Sequence, residues 1–154
     1  VIRVVLTVAL ATALLTASLP AVDSARADRT AARLDADFAH VRESAATLVD
    51  RDAPTRSDVS SARRVVTIHV PRSSWTTAAV DTVTMTGSDE GGERTTATLG
   101  YTLENGRQRR VRLDVPLRTP DGPLVFVGSG THRLVLTLAR GDDGPVVVAR
   151  RGEE

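Results

Sequence analysis

The feature that most constrains this chain lies at its start. Residues Val4 to Leu19 form an apolar run without a single charge, preceded by Arg3 and followed, at Asp23, by the next ionised group. Extended to Val22 the stretch holds 19 residues. As a helix rising ~1.5 Å per residue it reaches about 28 Å, close to the ~30 Å hydrocarbon core of a bilayer. A basic residue before it and an acid after it favour an N-in, C-out orientation. Any fold for this chain must remove this segment, bury it or place it in lipid.

Two readings follow. In one, the segment is a cleaved signal peptide, with a short basic start, an apolar middle, Pro20 as a breaker and a small-x-small site at Ala25, Arg26 and Ala27. In the other it is an uncleaved anchor, and the residues behind it make this the leading reading. Ala27, Ala31, Leu34, Phe38, Val41, Ala45 and Leu48 recur at alternating spacings of 4 and 3, a helical stripe of three heptads. Asp28, Arg29, Arg33, Asp35, Asp37, Arg42 and Glu43 lie between them as a solvated face. The pattern predicts a helix from about Asp23 to Asp50 that ends before Pro54 and continues the membrane helix with a bend at Pro20. Because so many stripe positions are alanine, packing on the protein's own sheet is favoured over a coiled coil.

After a polar linker rich in turn formers the period changes to two. Arg64 to Val70 places Val66, Ile68 and Val70 on one face, Asp81 to Thr86 aligns Val83 with Met85, and Thr96 to Leu103 aligns Leu99, Tyr101 and Leu103. Gln108 to Val115 alternates most cleanly, with Val111, Leu113 and Val115 inward against Arg110, Arg112 and Asp114 outward. Leu124 to Val127, Thr131 to Ala139 and Val146 to Arg150 complete seven short strands. Asn105-Gly106 predicts a type I′ hairpin, Pro120-Asp121-Gly122 a second turn, and Gly141 to Gly144 a third. The expected fold class is α+β: an apolar and then amphipathic N-terminal helix followed by an antiparallel β-sheet or small β-sandwich of about seven strands. The expected division is 1–22 transmembrane or signal segment, 23–52 amphipathic helix, 53–63 linker and 64–154 β-rich domain.

Chemistry-bearing motifs are sparse. The chain has no cysteine, which excludes disulfides, thiolate catalysis, cysteine-ligated metals and a lipoprotein anchor. Its 20 basic residues, all arginine, face 19 acids, and aromatics are 3% of the chain, so no nucleic-acid partner is expected. His40, His69 and His132 lack a second ligand at metal-binding spacing and read as surface or edge residues. Asp142 and Asp143 sit between glycines as a hairpin tip rather than in a calcium loop, and Asp89 and Glu90 precede Gly91-Gly92 in another loop. Arg107, Arg109, Arg110 and Arg112 form a basic cluster, read as a solvated strand face with phosphate or anionic lipid as the sharper alternative. Gly128-Ser129-Gly130 is no phosphate loop, no Gly-x-Ser-x-Gly elbow occurs, and the sole tryptophan, Trp75, reads as a core or rim anchor. No catalytic residue, metal site or cofactor is assigned, and the chain is read as non-enzymatic.

An apolar helix running into an amphipathic one, followed by a β-sheet head, resembles the layout of type IV pilins and pseudopilins. The stretches Val1 to Leu6, Val115 to Leu124, and His132 to Leu136 with Gly144 to Val148 are also similar to a small haloarchaeal protein family associated with pilus or secretion gene neighbourhoods. The resemblance covers most of the chain and brings no catalytic residues. It implies a membrane-anchored, pilin-like structural or accessory protein of a cell-surface or secretion apparatus, with its head outside and the membrane and assembly proteins as partners. The alternative is a secreted β-sandwich binding module released by signal peptidase near Ala27.

Overall fold

A computed structural model of the chain describes residues 1–51, 62–87, 97–141 and 144–152. The expected linker up to residue 61, Asp89 and Glu90, and Asp142 and Asp143 lie outside the described residues.

A single helix, α1 (Ile2–Arg51), takes in both the apolar run and the amphipathic stripe without interruption. Its 50 residues would extend about 75 Å at ~1.5 Å each. Pro20 lies inside it and has no N–H to give the carbonyl four residues back, a loss the helix absorbs without ending. Residues 1–25 are exposed throughout. From Ala27 onward all seven stripe positions are buried, together with Thr30 and Ser44. One helix is thus bare for its first half and part of a protein core for its second.

The strands are β1 (Arg63–Val70), β2 (Val80–Thr86), β3 (Ala97–Leu103), β4 (Gln108–Leu113), β5 (Leu117–Arg118), β6 (Leu124–Val127), β7 (Gly130–Gly141) and β8 (Gly144–Arg151). They form two four-stranded sheets, ordered β1-β7-β8-β5 and β4-β3-β2-β6. Among the described residues every pairing is antiparallel except β5 with β8, where Leu117 faces Val147 and Arg118 faces Val148 in parallel. The α+β class with a helix and antiparallel-rich sheets is therefore as expected, with an eighth, two-residue strand added. Period-two burial in β3 (Ala97, Leu99, Tyr101, Leu103), β2 (Val83, Met85) and β7 (Leu134, Leu136, Leu138) points these side chains into one hydrophobic cluster shared with the helix stripe. The stripe packs on β1, β7 and β8, and the Phe38 ring meets Tyr101 of β3 at 6.0 Å between centroids, so the helix joins both sheets.

Two local details correct or sharpen the sequence reading. The β3–β4 turn is one residue longer than a two-residue Asn-Gly turn. The Gly106 amide donates to the Leu103 carbonyl (2.9 Å), the Leu103 amide to the Arg107 carbonyl (2.9 Å), and Gly106 takes φ +80°. This is the three-residue loop with glycine in the left-handed position. At Gly87 a Cβ would lie 2.7 Å from the Thr119 nitrogen and 2.8 Å from the Leu117 carbonyl oxygen. Only a glycine lets the end of β2 in the second sheet pass so close to β5 in the first.

Candidate interaction surfaces

The expected solvated face of the helix is exposed at Asp28, Arg29, Arg33, Arg42 and Glu43, and its acids Asp28, Asp35 and Asp37 also fasten the head to the helix. Asp37 Oδ2 accepts the His69 backbone N–H at 2.7 Å, which satisfies a donor on the free edge of β1. Arg107 Nη1 donates to Asp28 at 2.6 Å, and Arg109 Nε lies 3.1 Å from Asp35 Oδ1. The Arg107–Asp28 pair is solvent-exposed, whereas the Asp35 side chain is half-buried with its Oδ1 enclosed; solvent screens the first pair, which orients the helix more than it stabilises it. The Asp28 carboxylate raises the Arg107 guanidinium above its ordinary pKa by hydrogen bond and by charge. Burial pushes the Tyr101 phenol up, and the charge of Asp35 adds to this. Sequence reasoning could not see these partners, because Asp28 and Arg107 are 79 residues apart.

The basic cluster is therefore split by strand parity. Arg109 faces the helix, whereas Arg110 and Arg112 point to the outer face of the second sheet, as their alternation predicts. There the register aligns Gln108, Thr102, Thr82 and Val127 in one row, Arg110, Gly100, Thr84 and Val125 in the next, and Arg112, Thr98 and Thr86 in a third. An open groove of about 800 Å³ runs over this lattice. Gly100 forms its floor; a Cβ there would approach the Arg109 carbonyl oxygen to 3.2 Å. Threonine hydroxyls can donate or accept and arginines only donate, so this face suits an acceptor-rich partner.

The outer face of the first sheet carries a second groove, about 790 Å³, in which Val65, Val135 and Thr137 lie among Arg63, Arg133 and Arg150. Arg150 lies 3.9 Å from Asp121. Arg151 turns away to the second sheet, where it donates to the Val125 carbonyl and stands over the Phe126 ring at 5.0 Å.

The histidines are dispersed. His40 is exposed on the helix, His69 has Nδ1 3.6 Å from Asp37, and His132 packs on Phe126 with Nε2 3.2 Å from the Gly128 carbonyl. Among the described residues no group of three or more His, Asp or Glu side chains is placed to hold a metal. Trp75 is 95% exposed and so is no core anchor. Its turn carries too few apolar neighbours to cover an indole: Ser73, Ser74, Thr76 and Thr77 surround it.

A half-bare, half-buried N-terminal helix on a two-sheet head defines an α+β protein. The chain belongs to the family described as a domain of unknown function (DUF7311), whose model matches residues 1–152. No curated protein and no solved structure matches it significantly.

Proposed function

We infer that this protein is a membrane-anchored, pilin-like structural or accessory component of a cell-surface or secretion assembly, without enzymatic activity. One observation carries the reading: a single uninterrupted helix offers residues 1–25 bare and commits residues 27–48 to the head core. The bare half is apolar and long enough to cross a membrane. Its polar side chains are also accommodated: Thr7, Thr12, Thr16 and Ser18 all donate to carbonyls of their own helix at 2.8–3.0 Å. Hydroxyls satisfied in this way cost little in lipid.

The helix junction favours retention over cleavage. Ala27, the expected cleavage position, is buried in the helix–sheet contact, and Arg26 ties the helix to Ser73 and Thr77. Removal at this point would cost the head its first stripe residue and that tie. The outer faces of the two sheets are then the surfaces presented to assembly partners. A C-terminally tagged chain purified from native membranes should bring down filament or secretion components. Recovery of a soluble chain alone, without such components, would refute the assignment and leave a released binding module.

A further inference from the structure

The lone tryptophan lies in one of the two loops that meet the helix where its bare half ends. The chain of β1 descends along α1, and its contacts mark the descent. The His69 amide meets Asp37, then Ser73 Oγ and the Thr77 carbonyl meet Arg26 (3.4 and 3.3 Å), and on the return the Ala78 amide meets Thr30 Oγ1 (2.9 Å). Trp75 sits at the apex of that descent. The turn is built rather than loose: the Ser74 amide donates to the Thr77 carbonyl (3.0 Å), Thr77 Oγ1 donates to the Arg72 carbonyl (2.8 Å), and Thr77 is buried. The β3–β4 hairpin descends alongside it. Arg109 meets Asp35, Arg107 meets Asp28, and Glu104 and Asn105 line a cleft with Asp23 and Arg26. Its Glu104 amide donates to the Ala79 carbonyl at 3.2 Å, which joins the two loops.

Arg26 follows Val22, the last apolar residue of the membrane segment, by four residues, or about 6 Å of helix. The headgroup layer is about 5–7 Å thick on each side of the hydrocarbon core. With Val4 to Val22 in the membrane, the Ser73 and Thr77 contacts to Arg26 fall at about headgroup level. A tryptophan is on average a highly buried residue, and one exposed at this depth matches the aromatic belt of membrane proteins. Charges beside it are nearly balanced: Arg26 pairs with Asp23 and Arg107 with Asp28, and the exposed Arg72 of the turn is offset by Glu104 of the adjoining hairpin. That balance favours an apolar contact with neutral lipid over attraction to an acidic surface.

We propose that the Arg72–Thr77 turn is a second membrane contact, in which Trp75 seats its indole in the headgroup interface and fixes the tilt of the head on its anchor. This rests on the anchor reading above, and the test separates the two. As the only tryptophan, Trp75 reports alone in fluorescence. The full chain is reconstituted into phosphatidylcholine vesicles with and without brominated acyl chains, floated, and compared with a double variant, Trp75→Phe with Val65→Trp, that moves the reporter to the outer face of the first sheet. The expected result is blue-shifted Trp75 emission, quenched severalfold more strongly than the relocated indole and unchanged in high salt. A chain that floats with the vesicles yet shows Trp75 quenched no more than the relocated indole overturns the contact while the anchor stands. A chain that does not float overturns the anchor and the contact together.

Discussion

Phe38→Ala is the sharpest probe of whether the helix is part of the head. Phe38 is 2% exposed, and its ring lies 6.0 Å from Tyr101 at 52°. Burying a phenyl side chain is worth about 1.5–3 kcal/mol. An aromatic pair in this geometry adds about 0.5–1.5 kcal/mol. Neighbours from the helix, β1 and β3 cannot all collapse into the space, so a cavity term raises the total to about 3–5 kcal/mol. That is a large part of the ~5–15 kcal/mol that holds a domain. Guanidinium unfolding of the full chain in a mild non-ionic detergent, followed by the β-sheet circular dichroism, measures it. Leu14→Ala is the control: Leu14 is 63% exposed in the bare half, and its removal should leave the head within about 0.5 kcal/mol. A Phe38→Ala loss under about 1 kcal/mol, or one equal to that of Leu14→Ala, would show that the helix only leans on the sheets.

Other perturbations test separate joints. Gly87→Ala drives a methyl into the backbone of Leu117 and Thr119 and should destabilise by about 1–3 kcal/mol in the same assay; a neutral result would mean that β5 does not pass there. Asp37→Ala leaves the exposed His69 amide to water and should cost about 0.5–1.5 kcal/mol with faster hydrogen exchange at that amide. Asp37→Asn keeps an acceptor oxygen and should recover most of the loss, whereas equal effects would assign the role to charge. Tyr101, the only tyrosine, gives a pH dependence. Its folded pKa is raised above the ordinary 10.0, so between the two values the unfolded chain releases the proton first and stability falls as pH rises. Absorbance titration should show the phenolate forming later in the folded chain than in denaturant, and Tyr101→Phe should flatten the alkaline decline in stability.

The sequence foretold the parts of the fold that obey a period. The stripe from Ala27 to Leu48 is buried on the protein's own sheets, and the alternation of β4 separates Arg110 and Arg112 from the inward Leu113. Strand β5 escaped because two residues have no period, and its partner is a parallel strand some 30 residues on. The three-residue β3–β4 turn escaped because Asn-Gly fits both loop lengths, and the choice is made by the register of Leu103 with Arg107. The helix charges are largely exposed as their spacing predicts, but a charge at an outer helical position reveals nothing of an arginine folded against it, so the partners of Asp28 and Asp35 were not legible. Trp75 looked like a core or rim anchor by type; its exposure follows from its place in a polar turn against the helix, a relation only the tertiary structure supplies.

The most direct measurement is the intact mass of the protein recovered from native membranes after an alkaline wash. The continuous helix predicts a chain that keeps Val4 to Val22 and stays with the membrane. A soluble product that begins near Asp28 would contradict it and detach the head from any anchor.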